Sequence, residues 1–261
     1  MIAIESEKIL CEGEMRSGVL LVDKGKVVDF KDHLGSISCK QHLNFADQLI
    51  MPGIVDAHVH INEPGRTEWE GYETATHAAA VGGLTTVVDM PLNCIPVTTS
   101  EASLDIKLKA LEGKLNVDCA FHGGVVPGNE RELAKLFRRG VKTFKAFMIE
   151  SGVDEFQFCR EKDLRNAMPI LAELGATLLV HAELETPLVQ HDESIESYHS
   201  FLNSRPDAWE VDAVNLILSL ARETGCKVHI VHLSSAKCLP YIDQARKDGV
   251  RVSVETCPHY L

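Results

Sequence analysis

No stretch of this 261-residue chain is apolar for long enough to span a bilayer. Its opening residues, Met1-Ile-Ala-Ile-Glu-Ser-Glu-Lys8, have neither the basic-then-apolar plan of a secretory signal nor the Arg-rich, acid-poor character of a transit peptide. A cytoplasmic address is the expectation. The eight cysteines (Cys11, Cys39, Cys94, Cys119, Cys159, Cys226, Cys238 and Cys257) include no Cys-X-X-Cys pair. That pattern argues against a disulfide framework or a cysteine zinc site and for reduced thiols. Positive charge is also scarce: 26 Lys and Arg against 38 Asp and Glu leave a net charge of −12. Phosphate backbones and anionic lipid would be repelled, so neither nucleic acid nor membrane is an expected partner. Repeats and low-complexity segments are absent. The chain instead has an ordinary soluble composition, 45% hydrophobic and 25% charged, at a length that can bury one large core.

Residues 1–50 alternate short apolar stretches with polar turns, as in Gly18-Val-Leu-Leu-Val22 and Lys26-Val-Val-Asp29, and predict small antiparallel strands. After Pro52 the pattern changes to apolar, β-branched runs alternating with amphipathic helical segments, the mark of βα units around a parallel sheet. Strands are expected near 54–58, 84–90, 117–123, 141–147, 176–181, 228–232 and 250–256. Six of the seven follow a helical stretch ending in Gly, at Gly83, Gly113, Gly140, Gly175, Gly225 and Gly249. This regularity favours an α/β fold of the TIM-type (β/α) barrel kind, although spacing alone leaves a doubly wound sheet open. The expected domains are 1–50, part of a small β domain, and 51–261, the barrel. About seven strands can be counted, so the barrel is expected to be incomplete, its eighth strand beyond residue 261.

In such a barrel, functional groups come from the C-terminal ends of strands. His58 and His60 end the first. Two residues apart, they project to the same side of a strand and can hold one metal ion between them. His181 ends the fifth strand and His232 the sixth; His229, three residues before His232, faces the other way and reads as a packed or hydrogen-bonded imidazole. In Gly140-Val-Lys-Thr-Phe-Lys-Ala-Phe-Met148, alternation puts Val141, Thr143 and Lys145 on one face. A lysine facing a packed interior must be neutralised or paired. Lys145 therefore either salt-bridges a carboxylate or reacts with carbon dioxide to give a carbamate, whose two oxygens could bridge two metals. Four His and one Lys at four strand ends predict a binuclear site for divalent ions. Zinc is the first choice; iron, cobalt, nickel and manganese are also compatible.

Met51-Pro-Gly-Ile-Val-Asp-Ala-His-Val-His60, Phe144-Lys-Ala-Phe147, Val180-His-Ala-Glu183, His232-Leu-Ser-Ser235 and Glu255-Thr-Cys-Pro-His-Tyr-Leu261 together resemble the cyclic-amide hydrolases of the amidohydrolase superfamily. That group comprises dihydroorotases, hydantoinases, dihydropyrimidinases and allantoinases. Several segments are similar to allantoinases in particular: Met90-Pro-Leu-Asn93, Gly123-Gly-Val-Val-Pro-Gly-Asn129, Ser151-Gly-Val-Asp-Glu-Phe156 and Ser204-Arg-Pro-Asp-Ala-Trp-Glu210. Asn62 stands where dihydroorotases carry an Arg for the substrate carboxylate, and a neutral amide suits allantoin, which has none. Each segment also has a plainer reading, Pro-Gly-Asn as a turn and Trp209-Glu210 as a helix start. Asn62 and Asn93 are the candidate substrate contacts.

The resemblance implies that His58 and His60 hold one ion, carbamylated Lys145 bridges the two, and His181 and His232 hold the second. It implies hydrolysis of the ring amide of (S)-allantoin to allantoate in purine breakdown, and a homotetramer for the full-length protein. A hydantoin, dihydropyrimidine or dihydroorotate is the alternative substrate. The family's acid/base Asp lies on the eighth strand, so no catalytic residue is expected within this chain and residues 1–261 alone are expected to be nearly inactive. A non-catalytic scaffold or assembly modulator is therefore the second reading.

Overall fold

The computed structural model describes residues 1–185 and 197–261, which divide into two compact units, Met1–Ile54 and Val55–Leu261. In the first unit β1 (Ile2–Cys11), β2 (Glu14–Asp23) and β3 (Lys26–Lys31) form an antiparallel meander. Its two-residue turns, Glu12-Gly13 and Lys24-Gly25, have positive φ at both positions. Such turns match the right-handed twist of the strands they join. The remaining strands depart from the antiparallel expectation, because β4 (Gln41–Asn44) and β5 (Leu49–Ile50) pair with β1 in parallel. A parallel return needs a crossover, which residues 32–40 supply. Their Leu34, Ile37 and Cys39 pack against Ala3, Val19 and Leu21, a burial that alternation within strands does not encode.

The second unit alternates strands and helices: β6 (Ile54–Val59), α1 (Tyr72–Val81), β7 (Leu84–Asp89), α2 (Glu101–Ala110), β8 (Asp118–Phe121), β9 (Gly123–Gly124), α3 (Glu130–Arg138) and β10 (Thr143–Phe147). The series continues through α4 (Glu161–Leu174), β11 (Thr177–His181), α5 (Tyr198–Asn203), α6 (Asp207–Thr224), β12 (Lys227–Ile230), α7 (Leu239–Lys247) and β13 (Val252–Val254). Neighbours run β6-β7-β8 and then β9-β10-β11-β12-β13, with His122 alone between β8 and β9. The ladders from β7 onward are parallel. Spatial order that follows chain order is that of a TIM-type barrel, whereas a doubly wound sheet reverses direction part-way. All six strand-preceding glycines have positive φ, and Gly175 and Gly225 cap α4 and α6 in the left-handed conformation.

Strand alternation separates two faces. Phe144, Ala146, Leu178, Val180, Val228 and Ile230 join the large cluster that includes residues of α3, α4, α6 and α7. Phe147, Leu179 and Val231 belong instead to a second cluster with Met90, Leu92 and Phe156. Val141 corrects the register expected for β10. It packs with the helix-side cluster, on the opposite face from Lys145, because the strand starts only at Thr143 and alternation does not extend back to residue 141.

Helix α6 shows how local sequence sets these elements. Trp209, Ala213, Val214, Ile217, Leu218, Leu220 and Ala221 form its buried stripe, Asp207 and Glu210 sit in the first turn and Arg222 in the last. Those charges oppose the helix dipole at both ends. Among the described residues no helix is long and apolar enough to cross a membrane, and all eight cysteines are free.

Candidate metal centre at the strand ends

His58 lies on β6 and His60 immediately follows it, Lys145 is in the middle of β10, His181 closes β11, and His232 stands two residues past β12. The fold brings the imidazoles together. Ring centroids are 5.4 Å apart for His58 and His60, 5.7 Å for His58 and His232, and 4.8 Å for His181 and His232. His181 stacks on Phe147 with centroids 4.6 Å apart, and Lys145 Nζ lies 5.0 Å from the centroid of the same ring.

Burial keeps His60 and His232 uncharged. Burial, reinforced by the nearby His58 and Lys145, lowers the His60 pKa to about 3. Burial, with Lys145, His181 and His58 adding, lowers that of His232 to about 3 as well. Neutral imidazole keeps a lone pair, which a metal ligand requires. Lys145 is 1% exposed, and no carboxylate lies within ion-pair distance of its Nζ among the described residues. Burial lowers its pKa to about 7, with Glu255 pulling the other way.

His60 Nδ1 is buried and has no hydrogen-bond partner among the described residues. His181 Nδ1 and His232 Nε2 are 3.2 Å apart. Two nitrogens at zinc-ligand distance in a tetrahedral arrangement stand roughly 3.3 Å apart, so this pair has the spacing of two ligands on one ion. Among the described residues no three His, Cys, Asp or Glu side chains converge on one point. The donors come as pairs, and completing a coordination sphere requires a further group such as a modified Lys145.

Four residues given no site role from the sequence hold this arrangement. Glu255, just past β13, accepts from His58 Nδ1 and lies 3.4 Å from His229 Nε2. Hydrogen bonds from His229 and then His58 hold its carboxyl well below the usual range. It fixes the His58 ring from beyond the last strand of the series. Glu183 contacts His181 Nε2 at 3.1 Å and accepts from Arg205 at 2.6 Å. Glu210 on α6 accepts from Ser234 N at 3.0 Å and Ser235 N at 2.6 Å. It thereby anchors the loop in which His232 takes a left-handed φ of 39°, a conformation that surrounding structure must over-determine. His122 differs from these. Its Nδ1 is 2.6 Å from Thr143 Oγ1 and its Nε2 2.9 Å from the Ala57 carbonyl, so both nitrogens are committed and the ring ties β6 to β10. A signal existed for Glu255 and His122, since both stand at predicted strand ends. Their partners became apparent only in three dimensions.

Asn62 and Asn93 lie on the loops that follow β6 and β7. Asn62 is 7% exposed, and its Oδ1 is buried without a partner among the described residues. Asn93 has a φ of 72°, in the left-handed region that asparagine tolerates better than most residues. His229 bonds Ser253 Oγ at 2.8 Å from Nδ1 besides facing Glu255. Pro127-Gly128-Asn129 is a turn, pinned by Asn129 Nδ2 on the carbonyls of Thr99 and Gly124.

Comparison with known proteins adds three kinds of match. The family described as "Amidohydrolase family" matches residues 49–260. Allantoinase of Saccharomyces cerevisiae is 44% identical over 99% of this chain and 60% of its own length; mitochondrial allantoinase of Aquarana catesbeiana is 44% identical over 99% and 54%. The L-hydantoinase (dihydropyrimidinase) of Arthrobacter aurescens superposes with a TM-score of 0.90 at 28% identity, covering 100% of this chain and 59% of that one. This chain thus spans a little over half the length of the curated relatives it matches. Since residues 49–260 contain every strand-end histidine, the buried lysine and the carboxylate that orients His58, the chain belongs to the amidohydrolase family.

Proposed function

We propose that this chain carries the metal-binding half of an allantoinase, a hydrolase acting in the cytosol on the ring amide of allantoin. The observation that carries the reading is the run of allantoinases matched at 38–44% identity over 99% of the chain. Asn62 supports it chemically. A buried acceptor oxygen lacking a donor suits a ureide rich in N–H groups and would repel a substrate carboxylate. The fold likeness to an L-hydantoinase supports a second reading, a hydantoin or dihydropyrimidine as substrate.

His58 and His60 would hold one divalent ion and His181 and His232 the other, with Lys145 as a carbamate between them and zinc as the metal. Bound there, the ions would polarise the scissile carbonyl and acidify water enough for attack at neutral pH. The chain's own residues prepare the site. Glu255 orients the His58 ring, Glu183 contacts His181, and burial keeps His60 and His232 unprotonated.

Turnover of allantoin and dihydroorotate by the protein at its full natural length tests the substrate. Allantoin should be preferred by at least about 100-fold, since a carboxylate desolvated without a partner costs several kcal/mol. Equal or better turnover of dihydroorotate would end this reading. Preference for hydantoin over allantoin would move it to the second.

The carbamate has its own test. Only the neutral amine adds carbon dioxide, and with a pKa lowered to about 7 the neutral fraction of Lys145 grows as pH rises through that value. Intact metal-loaded protein incubated with 13C-bicarbonate should show a carbamate carbon signal by 13C NMR that Lys145→Ala lacks, stronger at pH 8 than at pH 6. An unmodified Lys145 in fully active, metal-loaded protein would refute it.

A further inference from the structure

Three loops at the C-terminal side of the parallel strands meet at Arg66, a residue that the reading of the site above does not use. Its Nη1 donates to the carbonyl of Asn93 at 3.1 Å, and its Nη2 reaches both carboxylate oxygens of Glu155 at 3.0 and 3.2 Å. The guanidinium also lies over the Trp69 ring, 5.1 Å from its centroid. The Arg66 backbone is fixed as well, since its N–H donates to the carbonyl of Asn62 at 3.0 Å. One side chain therefore joins the loop after β6, the loop after β7 and the loop after β10. Ile95 N–H adds a bond to the Pro64 carbonyl at 2.7 Å, and Gly65 brings the first two loops so close that a Cβ there would lie 2.6 Å from Ile95 Cβ.

We propose that Arg66 is a positioning residue for substrate selection, holding the Asn62 and Asn93 loops and the Glu155 loop as one rigid rim. The inference rests on the reading that Asn62 and Asn93 meet the substrate. A planar guanidinium donates in two directions at fixed angles, and a lysine cannot reproduce that fork. The Arg66 side chain is 17% exposed and that of Glu155 36%, so water screens the ion pair at the carboxylate end, and the part-buried bond from the guanidinium to the Asn93 carbonyl is the firmer hold. The bond to the Asn93 carbonyl fixes the peptide that follows a residue in the left-handed region, so the loop's direction at Asn93 is set by Arg66 as well as by its own φ.

The test is steady-state kinetics with allantoin on the full-length protein, alongside metal content and thermal unfolding. Arg66→Lys should raise KM about tenfold while kcat changes less than about threefold and metal content stays unchanged. Glu155→Gln, which keeps the size of the side chain and removes its charge, should raise KM in the same direction and guards against a poorly folded Arg66 variant. Asn93→Ala should raise KM too, and combined with Arg66→Lys the effects should fall short of additive, because the second change acts through the first. If Asn93→Ala raises KM but Arg66→Lys and Glu155→Gln do not, the rim inference is wrong and the substrate reading survives. If none of these variants nor Asn62→Ala moves KM, the substrate reading of the rim fails and takes the inference with it. A fall in kcat with proportional loss of folded protein and unchanged KM would assign Arg66 a structural role only.

Discussion

His60→Ala should remove one metal equivalent per chain and lower turnover by on the order of 10³-fold or more, the scale expected when a group polarising the reacting carbonyl is lost. The expectation rests on the state of the ring. Its pKa is lowered to about 3 by burial and by nearby His58 and Lys145, so it is neutral at neutral pH. Its buried Nδ1 has no protein partner among the described residues. A neutral imidazole of that kind is costly to keep unless something accepts its lone pair. Glu255→Gln supplies the graded comparison. It preserves an acceptor for His58 Nδ1 but not the charge that stabilises the donor, so metal affinity should fall by about 10–100-fold, not vanish. Elemental analysis and turnover, with circular dichroism to confirm folding, read both variants. A His60→Ala protein with its full metal complement and undiminished activity would dismiss the metal centre as drawn.

The contrast between those two residues marks where sequence reading stops. His58, His60, His181 and His232 could be chosen because side-chain direction in a strand has a period of two and strand ends could be located from apolar runs. Both are local properties. Glu255 stands 197 residues from His58, and their meeting depends on the strands β6 to β13 lying in chain order. Its value as an orienting group appears only once the sheet is assembled. Val141 failed for a related reason, since alternation holds only inside a strand and β10 begins two residues later than its apolar run suggested. The parallel return of β4 in the first unit was hidden because the decisive burial, of Leu34 and Ile37, lies in a crossover that looks like a loop. Most remote from the sequence was Lys107. In Glu101-Ala-Ser-Leu-Asp-Ile-Lys-Leu-Lys-Ala110 it resembles Lys109, a helix-surface lysine, yet Lys107 is fully buried and Lys109 is not.

Lys107→Met should accordingly destabilise the second unit by about 3–5 kcal/mol, the cost of leaving a buried charge without its partner. Lys107 Nζ donates to Asp89 Oδ2 at 2.5 Å and to the Met90 carbonyl at 3.2 Å, with neither Lys107 nor Asp89 exposed to solvent. Burial alone would discharge the lysine, but Asp89 outweighs it and holds the pKa of Lys107 above its ordinary value. Asp89 is needed for more than charge. Its Oδ1 accepts from Ile61 N at 2.8 Å, one residue past His60, and its Oδ2 from Tyr72 OH at 3.1 Å. Adding Asp89→Asn to Lys107→Met should therefore recover part of the loss. Asparagine carries no charge to strand; its oxygen can still accept from Ile61 N, and its amide can donate to the Tyr72 hydroxyl once that group turns. An apolar Asp89→Leu in the same background should recover less, because it leaves Ile61 N–H and Tyr72 OH buried and unpaired at about 1–3 kcal/mol each. Urea unfolding of the three variants measures the order. If Lys107→Met costs under about 1 kcal/mol, no buried charge is stranded and the ion-pair reading fails; if Leu rescues as well as Asn, then Asp89 serves as a counter-ion alone and the backbone beside His60 is fixed by other means.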